Sequence, residues 1–285
     1  MTSMSDAPLR NVADTARWAA VYRADESDRP DALFRDPHAR ALGGERGRAI
    51  ADQLSMGRKT AWSWVTRTWL FDRFIEQSIR DGTDLVVNLA AGLDARPYRM
   101  NLPPGLTWVE VDHPEILAAK AEVLDAHKPV CRVERHALDL ADVSGRRALL
   151  DDLARRGTRG LVITEGLLLY LKPDAVGELG RDLAARAVFQ RWALDLLSPG
   201  LLAILKKNMS ATLDTANASF HFAPEEGPRF FEPLGWRPLE VRGIMKTAAK
   251  LKRAPLLLRI LGLLPEPKGR LGRRPWGGVC LMGRA

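Results

Sequence analysis

Cysteine is scarce in this chain of 285 residues, which contains only Cys131 and Cys280. Two thiols that both fall in predicted strands give neither a disulfide framework nor a metal cluster, and they predict buried thiols in a reducing compartment. The N-terminal segment MTSMSDAPLR lacks the apolar core of a signal peptide. No apolar run reaches the roughly 18 residues that a membrane-spanning helix requires. We therefore expect a cytoplasmic protein without a membrane span.

Glycine is sparse at the turn around which the sequence is organised. The continuously apolar run 85–89 predicts a buried parallel strand, and it leads into A-A-G-L-D-A-R. This turn lacks the G-x-G-x-x-G pattern that a dinucleotide-binding fold requires, which argues against an NAD-dependent dehydrogenase. Gly92 would let the backbone approach a ligand closely, although one glycine also serves packing alone. Asp94 would repel phosphate and suits a ligand with an amino group, such as S-adenosylmethionine.

A second predicted strand, 106–112, alternates apolar and polar residues and ends in Asp112. The spacing from Gly92 to Asp112 is about 20 residues, at which the second strand of a βαβ unit delivers a carboxylate to ribose hydroxyls. Glu110 points to the same side of this strand and is the rival for that role. Alternatively, Asp112 caps the helix that begins near Pro114.

Five segments of the chain, in this order, resemble a known family: VADTARWAAVYRADESDRPDALFRDPHAR, NLAAGLDARPYR, VEVDHP, HALDLAD and ITEGLLLYL. They resemble the leucine carboxyl methyltransferase-like S-adenosylmethionine-dependent methyltransferases, especially the bacterial O-methyltransferase branch that includes polyketide-pathway enzymes. The resemblance covers about residues 12–171 and is weaker beyond them. Where that branch often has G-A-G-L-D, this chain has Ala90-Ala91-Gly92.

The resemblance implies a class I methyltransferase fold, which is an α/β, Rossmann-like sheet that is mostly parallel with an antiparallel last strand. We expect an N-terminal helical cap in residues 1–80 and a cofactor-binding domain in residues 81–285, with a helical insert at about 242–274. Further strands are predicted at 130–137, 160–166, 190–198, 236–241 and 279–283. Helices are predicted at 11–23, from 37, and at 61–80, 114–127, from 143 and 201–217.

The resemblance also implies roles for individual residues. In the family, an arginine matching Arg67 engages the carboxylate of the cofactor, and residues matching Asp139 and Leu140 recognise its adenine. A glutamate matching Glu165, which ends the fourth predicted strand, pairs with its ammonium group. The alternatives are a surface arginine for Arg67 and the N-cap of the helix near Val143 for Asp139. The predicted cofactor-binding residues are Arg67, Ala90, Gly92, Asp112, Asp139, Leu140 and Glu165.

Acidic residues are nearly absent from residues 242–274, where Glu266 stands against ten lysines and arginines. Leucines lie between these charges, which predicts either a solvated helical face or an amphipathic lid over a substrate pocket. The segment 220–231 is predicted to lie near the substrate, and Tyr170 is either a pocket wall or a core residue. The cap residues expected to face the substrate are Arg58, Lys59, Trp62 and Trp64.

Methyl transfer to a small molecule with a carboxylate or phenolic oxygen is the function that these observations favour. A carboxylate is already ionised near neutral pH, whereas a phenol would profit from a general base, for which His113, His136 and His221 are candidates.

Two other functions are less well supported by the sequence. The net charge of +8 is compatible with nucleic-acid methylation. However, the fourth strand runs into E-G-L-L-L-Y-L, with neither an Asn/Asp-Pro-Pro-aromatic turn nor a Pro-Cys nucleophile. A noncatalytic binding protein that retains the fold is disfavoured because Arg67 and Asp112 are both present.

Overall fold

A computed structural model of the chain describes residues 12–215, 219–262, 265–266 and 269–285. Some predictions concern residues outside these ranges, namely Asn11, Ala216, Asn217, Leu263, Leu264 and Lys268. The side chain of Arg58 is also outside what the structure describes. In the described part of the chain, none of the helices has the length and apolarity needed to cross a membrane.

Three helices precede the first strand. They are α1 (Val12–Ser27), α2 (Ala39–Gln53) and α3 (Ser55–Arg80). Helix α3 forms because apolar residues recur at helical spacing along one face, and Leu70, Phe71, Phe74 and Ile75 are all fully buried. These four side chains pack against the sheet, so α3 joins the N-terminal helices to the rest of the fold.

The remaining elements alternate between strands and helices until β6. The strands are β1 (Leu85–Leu89), β2 (Thr107–Asp112), β3 (Arg132–Ala137), β4 (Gly160–Thr164), β5 (Phe189–Leu197), β6 (Trp236–Gly243) and β7 (Gly277–Arg284). The helices are α4 (Arg96–Arg99), α5 (Pro114–Leu124), α6 (Val143–Leu153), α7 (Pro173–Ala184), α8 (Pro199–Thr215), α9 (Ile244–Lys250) and α10 (Leu256–Leu261). Two 3₁₀ helices cover Leu168–Tyr170 and Gly227–Leu234.

The seven strands form one sheet in the order β3-β2-β1-β4-β5-β7-β6. Strands β1 to β5 are parallel, and β7 is antiparallel to both of its neighbours. The predicted class I methyltransferase architecture is therefore confirmed. Since β6 runs in the same direction as β5, its carboxyl end lies at the same edge of the sheet as those of β1 to β5. The order reverses between β1 and β4, where open α/β sheets bind ligands.

Both faces of the sheet are covered, as the apolar run of β1 predicted. Val87, Val109 and Val162 belong to a core cluster that includes residues of α6 and α7, whereas Val86 and Ile163 pack with α3 on the opposite face. The expected alternation in β2 is not reflected in burial, because Trp108 through Asp112 are all buried. A polar side chain in this strand must therefore find a partner inside the protein.

Several element boundaries differ from the predictions by a few residues. Strand β3 begins at Arg132, so Cys131 lies just before a strand rather than within one. Both thiols are nevertheless buried, and burial raises the pKa of Cys131 to about 11 and also raises that of Cys280. Strand β4 ends at Thr164, which places Glu165 in the loop at the carboxyl edge. Helix ends fray easily, and α5 stops at Leu124, short of the predicted end.

Candidate functional site

The register of the sheet aligns the predicted site residues along its carboxyl edge. Leu89 pairs with Val111, so the loop that begins at Ala90 leaves β1 beside the end of β2. Thr164 pairs with Leu194, so the next residues, Glu165 and Asp195, are also neighbours. From β3 to β5 the edge therefore presents, in order, Asp139, Asp112, the glycine turn, Glu165 and Asp195.

The turn after β1 has an unusual backbone. Ala90 and Gly92 have φ angles of 55° and 50°. The Ala91 N–H donates to the carbonyl oxygen of Val111 at 3.1 Å, which ties the turn to β2. A left-handed backbone at a non-glycine residue costs roughly 1–2 kcal/mol. The structure therefore gives a physical reason for the glycine that the resembled branch often has at the position of Ala90.

Replacing Ala90 with glycine is expected to raise the free energy of unfolding by about 1 kcal/mol, because glycine adopts this φ without strain. Urea denaturation would measure the change. Ala91→Gly is the matched control, since Ala91 has no positive φ. The control should destabilise the protein, and an Ala90→Gly variant that is also destabilised would contradict the assignment of strain to Ala90.

Asp112 closes the turn from the side of β2. Its Oδ2 accepts the N–H of Gly92 at 2.7 Å, and its Oδ1 accepts the N–H of His113 at 2.8 Å. Burial raises the pKa of this carboxyl group, which is 8% exposed. Each carboxylate oxygen keeps a further lone pair for a ligand hydroxyl. The alternative role as a helix cap is not supported, because His113 occupies the N-cap position of α5 and no side chain caps it.

Both carboxylate oxygens of Glu110 take part in ion pairs inside the protein. Its side chain is fully buried, and Oε1 lies 2.6 Å from the equally buried Nζ of Lys120. Oε2 lies 3.2 Å from Nε of Arg135. With both oxygens paired between β2, α5 and β3, Glu110 has little capacity left for ribose hydroxyls, which favours Asp112 for that role.

Asp139 lies in the exposed loop after β3. Its Oδ1 accepts the N–H of Ala141 at 2.9 Å. Helix α6 is capped by Asp142, whose Oδ1 accepts the N–H groups of Ser144 and Gly145, both at 3.1 Å. The alternative that Asp139 caps this helix is therefore wrong. Asp139 remains at the edge of the sheet with a second carboxylate oxygen available for a ligand.

Arg67 reaches the carboxyl edge from α3. Its Nε lies 3.2 Å from Oε1 of Glu165, and its Nη1 lies 3.3 Å from Oδ2 of Asp195. Asp195 is held in turn by the Gly166 N–H at 2.7 Å. The Arg67 side chain is only 18% exposed, so the alternative of a surface arginine is wrong. Among the described residues, Nη2 of Arg67 makes no hydrogen bond.

Arg96 holds the other side of Glu165. Its guanidinium is 3% exposed and lies 2.8 Å from Oε2 of Glu165, 2.8 Å from Asp94 and 2.7 Å from Asp72. Burial alone would raise the pKa of Asp94, but Arg96 and other nearby cations lower it to about 2. The Asp94 carboxylate also accepts a bond from Asn88 at 2.9 Å. Its charge is thus used inside the protein, and the inference that Asp94 itself faces a ligand is not supported.

Comparison with known proteins identifies the family. Residues 16–184, more than half of the chain, match the family described as leucine carboxyl methyltransferase. The chain belongs to this family. It is an S-adenosylmethionine-dependent methyltransferase, as the sequence segments predicted.

Relatives of this methyltransferase occur in several actinobacteria. A protein of Mycobacteroides abscessus is 34% identical over 189 residues, which cover 61% of this chain and 61% of the relative. A protein of Frankia alni is 33% identical over 236 residues, covering 78% of this chain and 82% of the relative. Both carry the name "Putative S-adenosyl-L-methionine-dependent methyltransferase".

The fold of the methyltransferase is shared with solved structures at low sequence identity. The crystal structure of a Thermobifida fusca protein, titled a "putative methyltransferase", matches at 18% identity and a TM-score of 0.57, and the match covers 98% of this chain and 96% of that one. A protein of Streptomyces avermitilis from the DUF574 family also has a TM-score of 0.57, at 13% identity, and the match covers 95% of this chain and 97% of that one. At these identities the likeness shows the fold alone.

The side chains at the edge fit S-adenosylmethionine in both chemistry and order. Along the cofactor, adenine is followed by ribose and then by the methionine moiety with its ammonium and carboxylate groups. Along the edge, Asp139 is followed by Asp112, the Gly92 turn, Glu165 and Arg67. Carboxylates at this edge could accept hydrogen bonds from the donor groups of such a ligand, although both oxygens of Glu165 already pair with Arg67 and Arg96, and Nη2 of Arg67 suits a carboxylate.

The three candidate histidines are separated by the fold. His113 is exposed after β2, and His136 is on β3, 3.7 Å from Glu134. The His221 N–H donates to the carbonyl oxygen of Leu169 at 2.7 Å, which joins its segment to the loop that follows Glu165. Among these histidines, His221 is therefore the one tied to the loop after β4.

Aromatic side chains of the cap continue into the same region. Trp64 packs against Trp18 with ring centroids 5.2 Å apart and lies 4.9 Å from the Arg67 guanidinium. Tyr170 packs against Phe220 at 5.4 Å, and burial raises the pKa of Tyr170 to about 12. These residues belong to one apolar cluster with partly buried members, which is the kind of wall that an acceptor pocket needs.

Proposed function

We propose that this methyltransferase transfers the methyl group of S-adenosylmethionine to an oxygen of a small molecule, either a carboxylate or a phenol. The observation that carries this proposal is the position of the basic insert. Arg242, at its start, pairs with Val279 of β7, and Val279 pairs with Asp195 of β5. The insert therefore leaves the sheet at the edge where we place the cofactor, and its excess of positive charge favours an anionic acceptor. The family name, leucine carboxyl methyltransferase, also describes a carboxyl acceptor.

Methyl transfer from S-adenosylmethionine requires the protein mainly to position the acceptor. When bound, S-adenosylmethionine supplies both the methyl group and its own leaving group. The protein must hold the acceptor oxygen in line with the methyl group and exclude water. A carboxylate acceptor requires no proton transfer, whereas for a phenol His221 would be the base nearest to the loop after β4.

The proposed cofactor contacts follow from the geometry of the edge. Asp112 would accept both ribose hydroxyls, and Asp139 with the Leu140 backbone would bind adenine. Ala90 and Gly92 would let the backbone approach the ligand, since both have positive φ. These residues occupy the carboxyl ends of β1, β2 and β3, which explains why they lie together although they are far apart in the sequence.

We propose that the chain divides into a cap at 1–80 and an α/β domain at 81–285 with an insert at about 242–274. Helix α9 of the insert packs on the α3 side of the sheet through Ile244. Glu266 accepts the N–H of Gly243 at 3.0 Å, which closes the base of the insert. Helix α9 is therefore the part of the insert suited to form a wall or lid beside the acceptor.

Replacing Arg67 with lysine is expected to weaken S-adenosylmethionine binding about tenfold, or ~1.4 kcal/mol, because lysine keeps the charge but loses the planar fork. A decarboxylated cofactor analogue lacks the group that Arg67 is proposed to hold. The substitution should therefore barely change the affinity for the analogue, and calorimetric titration of both ligands would measure the difference.

Arg73→Lys is the matched control for this experiment. Arg73 lies on the same helix, is 42% exposed and pairs with Glu76 at 2.5 Å. The Arg73→Lys variant should leave the affinities for S-adenosylmethionine and for the decarboxylated analogue unchanged. If Arg67→Lys weakened both ligands equally, or neither, the carboxylate of the cofactor would have to be held elsewhere.

A product screen tests the transfer itself. The full chain would be incubated with S-adenosylmethionine and a panel of aromatic acids, aliphatic acids, phenols, amines and thiols, and products would be detected by mass spectrometry as the gain of one methyl group. Mild alkaline hydrolysis separates the outcomes, because it cleaves methyl esters but not methyl ethers or methylamines. Methyl transfer only to nitrogen, carbon or sulfur acceptors would refute the proposal.

A further inference from the structure

Four apolar side chains of α10 project from the surface of the protein. Leu256, Leu257, Ile260 and Leu261 are 75%, 71%, 61% and 42% exposed. The other exposed large apolar side chains of the described residues are well separated in the sequence, namely Val130, Ile204 and Leu239. Single exposed apolar residues are ordinary on protein surfaces, whereas a contiguous group marks an interaction site.

The base from which α10 projects is fixed to the cap. The Nη2 atom of Arg253 lies 2.9 Å from Oε1 of Glu26, and both side chains are nearly buried. Arg259, within α10, donates from Nε to the carbonyl oxygen of Ala254 at 2.7 Å. The Arg253 pair thus anchors the segment before α10, and the Arg259 guanidinium is turned back toward that segment. The exposure of its leucine and isoleucine side chains shows that its apolar side is presented outward.

The segment that carries this apolar surface is basic in sequence. Residues 244–262 contain five lysines and arginines and no acidic residue. Arg253 is paired with Glu26 and Asp31, whereas Lys250 and Lys252, a few residues before α10, are exposed. Apolar side chains flanked by lysines complement a surface that is apolar inside and anionic outside.

The size of α10 distinguishes between possible occupants. With six residues, α10 is roughly 9 Å long, whereas helices that dock in protein grooves use anchors from i to i+7. A protruding apolar cluster is buried most completely by a deformable partner, such as a lipid layer, that can surround it. We propose that α10 and its flanking lysines dock the protein on an anionic phospholipid surface, with Leu256, Leu257 and Ile260 entering the boundary between headgroups and acyl chains.

Sedimentation with vesicles tests this proposal on the full chain. We expect binding to vesicles of equimolar phosphatidylcholine and phosphatidylglycerol to be at least about tenfold stronger than binding to phosphatidylcholine alone, and to weaken with added salt. Hydrogen exchange of the unmodified chain should show protection of residues 250–262 when anionic vesicles are added.

Substitutions on the protein surface test whether α10 is the part that contacts the vesicle. The variant Leu256→Ser/Leu257→Ser/Ile260→Ser should lose at least about tenfold in vesicle affinity, because it removes the side chains that enter the bilayer. A matched triple variant, with Val130, Ile204 and Leu239 each changed to serine, should bind vesicles like the unmodified chain.

Three results would overturn the proposal. The first is equal binding to both vesicle types, or no binding to either. The second is an equal loss of affinity in the two triple variants. The third is unchanged hydrogen exchange of residues 250–262, a measurement that does not depend on the folding of any variant. If the protein did not bind vesicles but formed a dimer, or a complex with an acidic protein, through α10, the surface would be assigned to that partner instead.

Discussion

The Glu110→Ala variant is expected to lose about 3–5 kcal/mol of unfolding free energy, because it leaves the Lys120 ammonium buried without a counter-charge. Lys120 and Glu110 are both fully buried and lie 2.6 Å apart. The lost methylenes of Glu110 add a smaller packing term. Urea denaturation followed by tryptophan fluorescence would measure the change.

Two controls separate charge from packing in this experiment. The double variant Glu110→Leu/Lys120→Met removes both charges at similar volume and should recover most of the lost stability. Glu76→Ala breaks a surface pair with Arg73 and should cost less than ~1 kcal/mol. A Glu110→Ala variant no less stable than Glu76→Ala would contradict the assignment of a buried structural pair.

Replacing Asp112 with alanine is expected to weaken S-adenosylmethionine binding by about 1–3 kcal/mol, because it removes the charged acceptor that we propose for two ribose hydroxyls. The same change deletes the bonds that Gly92 and His113 donate, so the turn loses its tie to β2. Calorimetric titration of the folded variant would give the affinity.

Asp125→Ala is the matched control for Asp112, since Asp125 is a largely exposed aspartate at the end of α5. It should bind the cofactor like the unmodified chain. Glu110→Gln, which keeps the shape of the side chain, should lower affinity less than Asp112→Ala. If that order were reversed, Glu110 and not Asp112 would be the ribose carboxylate.

Much of the fold and the edge of the site was predictable because local signals and family resemblance agree. Continuous apolar runs identify strands that are buried on both faces, as in β1. Ligands of open α/β sheets bind at the carboxyl ends of strands. Gly92, Asp112 and Glu165 can therefore be chosen as candidate site residues once the strand ends are known. The role that we propose for Arg67 rests on the resemblance, because a lone arginine on an amphipathic helix carries no such signal.

The ion-pair network around Glu165 was not predicted, because its members are far apart in the sequence. Arg96 joins Asp72 of α3 to Glu165 after β4, and Asp195 comes from β5. A usable signal was nevertheless present. Asp72 stands within the apolar face of α3, and Asp195 interrupts the apolar run of β5, so both acids require buried partners. Which arginines supply them depends on tertiary packing.

The central claim is that the cofactor lies along the carboxyl edge with its adenine toward β3 and its methionine moiety toward α3. A crystal structure of the protein with S-adenosylhomocysteine, the demethylated cofactor, tests this directly. The account predicts ribose hydroxyls on Asp112, adenine beside Asp139 and Leu140, the amino group near Glu165 and the carboxylate on Nη2 of Arg67. A ligand bound in the reverse direction, or with its ribose away from Asp112, would contradict it.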